Sequence, residues 1–216
     1  MLNNSDARGV IAPVVEPIAR GLLRLHITPD MVTLAGTTLT VLTALILIPA
    51  GNFIPAVLLL FLFTSADVLD GTMARLSGTQ GPWGAWFDAT LDRVADGAIF
   101  GGVLIWAAWN SDTPTTILPW VCLAGGAVVS YAKARAEAVG ATANGGIAER
   151  AERMIILGLG AILYQFVDWG MSLALAILAV LTVITVFQRG LDVRSQLKPL
   201  NGQATASPDA PAGTDG

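Results

Sequence analysis

Four aspartates lie close together in an otherwise apolar stretch of the chain, DVLDGTMARLSGTQGPWGAWFDATLD, at Asp67, Asp70, Asp88 and Asp92. Asp67 and Asp70 are three residues apart and Asp88 and Asp92 are four apart, so each pair shares one face of a helix. The loop between the pairs is short, which makes the two helices antiparallel neighbours. The spacing therefore predicts that the four carboxylates converge on one point just inside a membrane.

Four unpaired carboxylates at that depth would be costly, and the neighbouring Arg75 and Arg93 are too few to neutralise them. Hard divalent cations prefer carboxylate oxygen, and no His or Cys stands nearby to suit zinc. We expect Mg²⁺, with two ions and with Mn²⁺ as an alternative, in an arrangement suited to phosphoryl chemistry. The alternative is that the acids are helix caps and structural ion pairs. For Asp96, one turn deeper, pairing with Arg93 or a polar group is the favoured interpretation.

The composition places these residues in a membrane protein. Of 216 residues, 54% are hydrophobic and only 13% are charged, and the mean hydropathy is +0.65. Soluble domains carry about 25% charged residues. The net charge of −4 gives no reason to expect a nucleic-acid partner, and a single cysteine, Cys122, excludes a disulfide framework. The start of the chain has no apolar core of the kind found in signal peptides.

Hydropathy and turn residues predict an all-α integral membrane protein with six transmembrane helices. Residues 1–27 form an N-terminal segment, in which an amphipathic helix over 11–27 lies in the membrane interface. Residues 28–197 form the membrane domain, and 198–216 form a polar tail that we expect to be disordered. The six predicted spans are about 31–50, 54–75, 84–109, 116–138, 150–167 and 170–189.

The distribution of Lys and Arg predicts the orientation. If the N-terminus is cytoplasmic, every basic residue lies near the cytoplasmic end of a helix and the loops on the other side carry none. Both termini and the aspartates are then cytoplasmic. Five cations at the level of the aspartates either anchor the protein to headgroups or bind a phosphate on a substrate, and we favour the second interpretation. They are Lys133, Arg135, Arg150, Arg153 and Arg189.

The pattern Asp67-x-x-Asp70-Gly71-x-x-Ala74-Arg75 followed by Gly84-x-x-x-Asp88-x-x-x-Asp92 resembles the signature of the CDP-alcohol phosphatidyltransferases. The resemblance implies that all four aspartates bind metal and that Asp92 is also the general base towards the acceptor alcohol. It further implies a CDP-diacylglycerol site. The residues expected there are Thr28, Pro29, Asp30, Met31, Gly71, Ala74, Arg75, Gly81 and Gly84.

The acceptor alcohol is predicted from other segments. PIARGLLRLHITPDMVTLAGTT, SYAKARAEA and GGIAERAER resemble the actinobacterial members of this family that join CDP-diacylglycerol to inositol 1-phosphate, giving phosphatidylinositol phosphate and CMP. The five cations would then bind the inositol phosphate, although Arg135 and Arg150 could instead pair with neighbouring glutamates. One alternative is glycerol 3-phosphate as acceptor, which yields phosphatidylglycerol phosphate. A divalent-cation transporter is less favoured, because transporter sites usually lie at the midplane.

Two glycine pairs bear on assembly. Gly101-Gly102 and Gly125-Gly126 could form the interface of a homodimer, as the resemblance implies, or could pack helices within one bundle. We expect a homodimer in the cell membrane, with the lipid bilayer and the two substrates as its other partners.

Overall fold

The computed structural model describes the backbone of residues 4–110, 113–143 and 145–204, and the side chains of 12–110, 116–143 and 145–197. Every regular element in these ranges is an α-helix, as the sequence predicts. In chain order the helices are α1 (Asn4–Arg24), α2 (Pro29–Leu47), α3 (Phe53–Thr64), α4 (Ala66–Ser77), α5 (Pro82–Asn110), α6 (Thr113–Ala138), α7 (Arg150–Leu163) and α8 (Gly170–Ala204).

Four stretches of the described chain are long and apolar enough to cross a membrane, namely Pro29–Leu47, Phe53–Ser77, Thr116–Ala138 and Gly170–Leu197. The protein is therefore a multi-pass membrane protein. The other two predicted spans fall on α5 and α7. Helix α5 has 29 residues but carries four charged side chains, and α7 has only 14 residues. The charged side chains make α5 too polar to qualify as a span, and α7 is too short to qualify.

The second predicted span is two helices, α3 and α4, separated by a break at Ser65. Thr64 and Ser65 donate their hydroxyl hydrogens to the carbonyl oxygens of Leu60 and Phe61, at 2.7 and 2.6 Å. Such side-chain bonds to the preceding turn often bend a helix. The break lies immediately before Asp67 and so sets the direction in which α4 presents its aspartates.

Six helix segments pack in a closed ring, in the order α2, α5, α6, α8, α7 and α3, and α3 returns to α2. Helix α1 packs on α4, which also contacts α2. Aromatic side chains fill the end of the ring away from the aspartates. The ring centroid of Trp106 lies 5.1 Å from that of Phe53 and 5.0 Å from that of Tyr164, and both pairs meet edge to face. The apolar core therefore holds the bundle together at one end, and the charged residues meet at the other.

Helix α1 agrees with the predicted amphipathic helix but begins earlier, at Asn4. Ala19 is buried, whereas Val14 and Ile18 are exposed, so an apolar surface remains uncovered. The helix ends near His26, which has a left-handed backbone conformation. At the other terminus, α8 runs to Ala204. Residues 198–204, which we expected to be part of a disordered tail, are therefore helical. The rest of that tail lies outside the described residues.

Three of the four glycines considered for dimer contacts pack inside the bundle. A Cβ at Gly102 would meet the carbonyl oxygen of Ala44 on α2, and one at Gly125 would meet Thr182 on α8. A Cβ at Gly126 would lie 3.5 Å from the guanidinium of Arg153, whereas one at Gly101 would meet nothing within 4 Å in the described part of the chain. Close helix approach within one subunit therefore accounts for Gly102 and Gly125.

We expect Gly102→Ala to lower the thermal stability of the detergent-purified protein, at a cost of about 1–3 kcal/mol, because the added methyl group overpacks the α2–α5 contact. Gly101→Ala is the matched control, since it makes the same chemical change one position away in open space. It should leave the melting temperature equal or slightly higher, because Ala favours the helix. Equal melting temperatures for the two variants would contradict the close contact of α2 with α5.

Candidate active site

The first three aspartates form a compact carboxylate cluster. Asp67 and Asp70 are on α4 and Asp88 is on α5, and ligand oxygens of the three lie within 4.8 Å of one another. This is the juxtaposition that the spacing predicts. Three carboxylate oxygens at this separation suit a hard divalent cation and not a soft one. The donor set therefore fits the metal that the sequence implies.

Asp70 is the deepest member of the cluster, with 8% of its surface exposed. Thr33 on α2 donates its hydroxyl hydrogen to Asp70 Oδ2 at 2.5 Å. This bond ties the start of α2 to the carboxylate cluster and fixes the orientation of one proposed ligand. The sequence analysis missed Thr33. The available signal was its position, one turn after Pro29 and on the same helix as the predicted nucleotide-binding residues.

Asp92 lies next to the cluster and is linked to it by Arg150. Arg150 NH1 is 2.7 Å from Asp92 Oδ1 and 3.0 Å from Asp67 Oδ2. A second basic residue, Arg93, lies 3.8 Å from the other oxygen of Asp92. The fourth aspartate is therefore held by guanidinium groups at the edge of the carboxylate cluster, between it and the cationic residues of α7.

Asp96, one turn deeper on α5, forms ion pairs with three arginines. Its two oxygens lie 3.0 Å from Arg150 Nε and 3.1 Å from Arg153 NH2, and Arg93 NH2 is 3.7 Å away. The predicted pairing of Asp96 with Arg93 is thus present, but the shorter contacts come from α7. Arg150 uses aspartates of α4 and α5 as its partners, and not the neighbouring glutamates considered as an alternative.

A cavity of about 660 Å³ opens beside the carboxylate cluster. Asp88 and Asp92 line one side of it. Four of the five predicted acceptor-binding cations line it as well: Lys133, Arg150, Arg153 and Arg189. The structure therefore brings acids and cations to one cavity, although they are far apart in the sequence. The fifth cation, Arg135, is exposed and is not among the described side chains that line this space.

Arg189 shows how α8 closes the cavity. It is almost fully buried, and it donates to the carbonyl oxygens of Gly145 at 3.0 Å and Val129 at 2.6 Å. Its third contact is Glu149, at 3.6 Å. One side chain thus joins α8 to α6 and to the loop before α7. The lining residues that sequence reasoning did not select include Arg93, Ser130, Glu137 and Glu149; only their proximity to selected residues could have indicated them.

The residues expected at the nucleotide site lie in the first turn of α2, on α4 and around the start of α5. Thr28 caps α2 by accepting a hydrogen bond from the Met31 N–H at 3.3 Å. Asp30 accepts a hydrogen bond from Trp83 Nε1 at 2.9 Å, which joins the first turn of α2 to the first turn of α5. Pro29 opens the helix without an N–H of its own, and the Met31 N–H is bonded to Thr28, so this end offers an anion mainly the positive end of the α2 dipole.

The glycines and Arg75 leave this side of the site open. A Cβ at Gly71 would approach only Arg75, at 3.7 Å, and a Cβ at Gly81 or Gly84 would meet nothing within 4 Å in the described chain. Arg75 donates to the Thr72 hydroxyl at 2.7 Å. Ala74, on the same helix, adds only a methyl group. Small side chains and glycines therefore leave no bulk of their own next to Asp67 and Asp70.

A second, apolar cavity of about 250 Å³ lies between α3, α5 and α7. Thr64 is at the end of it nearest the carboxylate cluster, and Phe53 and Met171 are at the far end. Two of its lining residues, Phe61 and Leu159, are largely exposed on the outer surface of the bundle. This apolar cavity therefore runs along α3 from Phe53 to Thr64 and borders the outer surface of the bundle.

The class of protein follows from the helical fold, the carboxylate cluster and the sequence comparison together. The family model of the CDP-alcohol phosphatidyltransferases matches residues 26–187. The chain therefore belongs to the CDP-alcohol phosphatidyltransferase family.

Relatives within the family are similar over most of the chain. The phosphatidylinositol phosphate synthase of Mycobacterium marinum is 45% identical over 188 residues, which cover 85% of this chain and 80% of the relative. That of Streptomyces avermitilis is 40% identical over 220 residues, which cover 98% of this chain and 90% of the relative. These relatives favour neither of the alternative functions considered from the sequence.

Solved structures show the same similarity. The Mycobacterium tuberculosis phosphatidylinositol phosphate synthase with CDP-DAG bound has a TM-score of 0.81 and 44% identity, over 84% of this chain and 94% of that one. The same enzyme in complex with manganese and citrate has a TM-score of 0.81 and 43% identity, over 84% of this chain and 90% of that one. The fold described above is therefore that of an experimentally known enzyme class.

Proposed function

We propose that the protein transfers a phosphatidyl group from CDP-diacylglycerol to inositol 1-phosphate, giving phosphatidylinositol phosphate and CMP. The observation that carries this proposal is the cavity in which Asp88 and Asp92 face Lys133, Arg153 and Arg189. A cationic space directly beside a carboxylate cluster suits an acceptor that carries its own phosphate. The relatives at 40–45% identity, all named for this synthesis, support the same assignment.

In this proposal Asp67, Asp70, Asp88 and Asp92 hold the divalent metal, which we assign as two Mg²⁺ ions with Mn²⁺ as a substitute. The geometry of the first three supports this role, since their oxygens lie within 4.8 Å of one another. When bound, the metal supplies charge neutralisation for phosphoryl oxygens and for the departing nucleotide. Thr33 orients Asp70 by the hydrogen bond described above.

CDP-diacylglycerol binds with its nucleotide against the first turn of α2 and the open face at Gly71, Ala74, Gly81 and Gly84, where Arg75 offers donors to the diphosphate. The helix N-terminus at Thr28–Met31 favours an anionic group through the positive end of the helix dipole. The apolar cavity between α3 and α7 begins near Thr64, three residues before Asp67, and is placed to receive an acyl chain. The donor lipid can then enter from the bilayer with its chains still in an apolar environment.

Asp92 acts as the general base. It takes the proton of the acceptor hydroxyl, the oxygen forms a bond to the phosphorus that carries the diacylglycerol, and the bond from that phosphorus to the bridging oxygen breaks as CMP leaves. Asp92 lines the acceptor cavity and lies beside the carboxylate cluster, so it borders both substrates. Lys133, Arg150, Arg153 and Arg189, which line the cavity, hold the acceptor phosphate, and the exposed Arg135 has no role in the proposed binding.

The proposal also covers topology and assembly. We assign six spans, with α5 and α7 as the two of unusual composition, and place both termini and the active site on the cytoplasmic face of the plasma membrane. Support comes from the basic residues, which lie at the same end of the bundle as the aspartates. We retain a homodimer as a prediction. Because Gly102 and Gly125 are used inside the bundle, its interface must involve other residues, and light scattering in detergent tests the state directly.

CMP release by the purified protein tests the acceptor assignment. We expect release with CDP-diacylglycerol, Mg²⁺ and inositol 1-phosphate, and at least about tenfold less with free inositol or serine, because those acceptors leave the buried guanidinium groups without a phosphate. Glycerol 3-phosphate is the discriminating control, since it also carries a phosphate. Faster release with glycerol 3-phosphate would overturn the acceptor, and no release with any acceptor would overturn the transferase assignment.

A further inference from the structure

Asp96 is a buried carboxylate with no role in the transfer reaction described above. Only 7% of its surface is exposed, and its two oxygens contact three arginines from two helices. Among the described side chains, it is the carboxylate that pairs with Arg153, which is itself 1% exposed. A buried ion pair of this kind is weak evidence for stability but can impose a specific geometry. Stability alone therefore does not explain why Asp96 is buried among these arginines.

The arginines around Asp96 have hydrogen-bond donors to spare. Arg153 gives NH2 to Asp96 and NH1 to the carbonyl oxygen of Ala148, at 3.2 Å. Its Nε, and that of Arg93, are buried without an acceptor in the described part of the chain. Buried donors without partners are rare and call for an explanation, such as a missing ligand or water. Both residues line the 660 Å³ cavity, so their guanidinium groups border the space in which the acceptor would bind.

The surroundings hold these arginines closely. Gly126 on α6 faces the guanidinium of Arg153, and a Cβ there would lie 3.5 Å from Nε. Arg93 is fixed on its other side by Ser130, which accepts a hydrogen bond from NH1. The guanidinium groups of Arg93 and Arg153 are thus held in place by protein partners at the wall of the cavity.

Guanidinium groups are the natural partners of a phosphate monoester. Asp96 contacts all three of Arg93, Arg150 and Arg153, although Arg93 also lies near Asp92 and Arg150 also contacts Asp92 and Asp67. A phosphate monoester carries about −1.5 to −2 at neutral pH. A pocket without Asp96 would attract anions more strongly, but its arginine side chains would have no common anchor.

We propose that Asp96 is the positioning residue of the acceptor site: it holds Arg93, Arg150 and Arg153 so that their remaining N–H groups converge on the acceptor phosphate. The proposal rests on the proposed function, because it takes the acceptor to carry a phosphate. It adds Arg93 to the residues that bind this phosphate. Asp96 itself touches the arginines and not the substrate.

Two possible roles of Asp96 predict opposite effects of Asp96→Asn. If Asp96 only offset positive charge, its neutralisation would strengthen phosphate binding and lower the KM for the acceptor. If it positions the arginines, the loss of its charge-assisted bonds disorders them and raises that KM. A purely structural role would lower the melting temperature and leave the KM of the folded fraction unchanged. The sign of the KM change therefore separates the three roles.

The experiment measures CMP release as a function of inositol 1-phosphate at saturating CDP-diacylglycerol, and the reverse. For Asp96→Asn we expect the KM for inositol 1-phosphate to rise about tenfold or more, with the KM for CDP-diacylglycerol and kcat within about twofold of wild type. Glu152→Gln is the matched control. It makes the same exchange of carboxylate for amide on α7, at an exposed residue outside the cavity lining that forms no ion pair with a described side chain, and it should leave the KM unchanged. An unchanged or lowered KM in Asp96→Asn would overturn the proposal.

A second variant covers the case in which Asp96→Asn does not fold. Asp96→Glu keeps the charge that the buried arginines require but displaces the carboxylate by one methylene group. We expect it also to raise the KM for inositol 1-phosphate. A wild-type KM in this variant would overturn the positioning role, because the site would then tolerate displaced arginines.

Failure of the proposed function is distinguishable from failure of this inference. If wild type uses glycerol 3-phosphate instead, the same variants are measured with that acceptor, and a raised KM upholds the role of Asp96 while the acceptor assignment falls. If neither acceptor supports CMP release, calorimetric binding of inositol 1-phosphate to wild type and Asp96→Asn decides. Weaker binding by the variant upholds the inference, and no binding by wild type overturns it together with the proposed function.

Discussion

Asp92→Asn is expected to lower kcat for CMP release by about 10²–10⁴-fold, the usual contribution of a general base. The amide keeps the size of the side chain but cannot accept the hydroxyl proton. The KM for CDP-diacylglycerol should stay close to the wild-type value, because Asp92 borders the acceptor cavity and Asp67, Asp70 and Asp88 form the more compact cluster. Steady-state CMP release at saturating concentrations of both substrates measures this effect.

The control for this variant is Asp168→Asn. Asp168 is exposed in the connection between α7 and α8, at the end of the bundle away from the carboxylate cluster. The same exchange of carboxylate for amide should leave kcat unchanged there. A kcat near wild type for Asp92→Asn would assign the base to another group. Loss of activity in both variants would indicate damage to the fold.

Asp70→Asn is expected to remove metal binding and to lower CMP release at fixed Mg²⁺ by at least about a hundredfold. Loss of a residue that only orients a metal ligand already lowers metal affinity or activity by about 10–100-fold. The difference in melting temperature between the variant and wild type should depend on whether metal is present. Without metal, the variant should melt at the wild-type temperature or above it, because three carboxylates within 4.8 Å repel one another. With Mg²⁺ or Mn²⁺, the melting temperature of wild type should rise, because a metal that binds only the native state stabilises it. The melting temperature of the variant should not rise.

Thermal unfolding in detergent, with and without the metal, measures this prediction apart from activity. Asp168→Asn again serves as the comparison and should respond to metal as wild type does. An equal metal-induced rise in melting temperature for Asp70→Asn would show that the carboxylate cluster is not the metal site. A variant that melts far lower without metal would show instead that Asp70 is needed for the fold through its bond to Thr33.

The sequence predicted the carboxylate cluster because helical spacing is a local property. Asp67 and Asp70 must share a face of α4, and the short connection to α5 leaves little choice about where Asp88 lies. The same reasoning could not show that Asp92 also contacts Arg150, at 2.7 Å, from a helix far along the chain. Sequence spacing carries no information about such a partner.

The sequence predicted the long apolar helices but not the break at Ser65 or the contacts of the glycines. Long apolar runs identify α2, α6 and α8 from their composition alone, because the bilayer requires a length of apolar helix. The break at Ser65 was not predicted, since it depends on hydroxyl groups choosing carbonyl partners in the preceding turn. The roles of the glycines were left open between dimer and bundle, and only contacts with Ala44 and Thr182 decided in favour of the bundle for Gly102 and Gly125.

By itself, the sequence determined that this protein lies in a membrane, that it carries a cluster of carboxylates on two adjacent helices, and that cations occupy the same end of the bundle. These follow from hydropathy, helical periodicity and charge, which are properties of short segments. Only the tertiary structure decided that Asp96 anchors Arg150 and Arg153, that Thr33 supports Asp70, and that Arg189 but not Arg135 lines the cavity. Those contacts join residues 37 to 57 positions apart and depend on how six helix segments close into a ring.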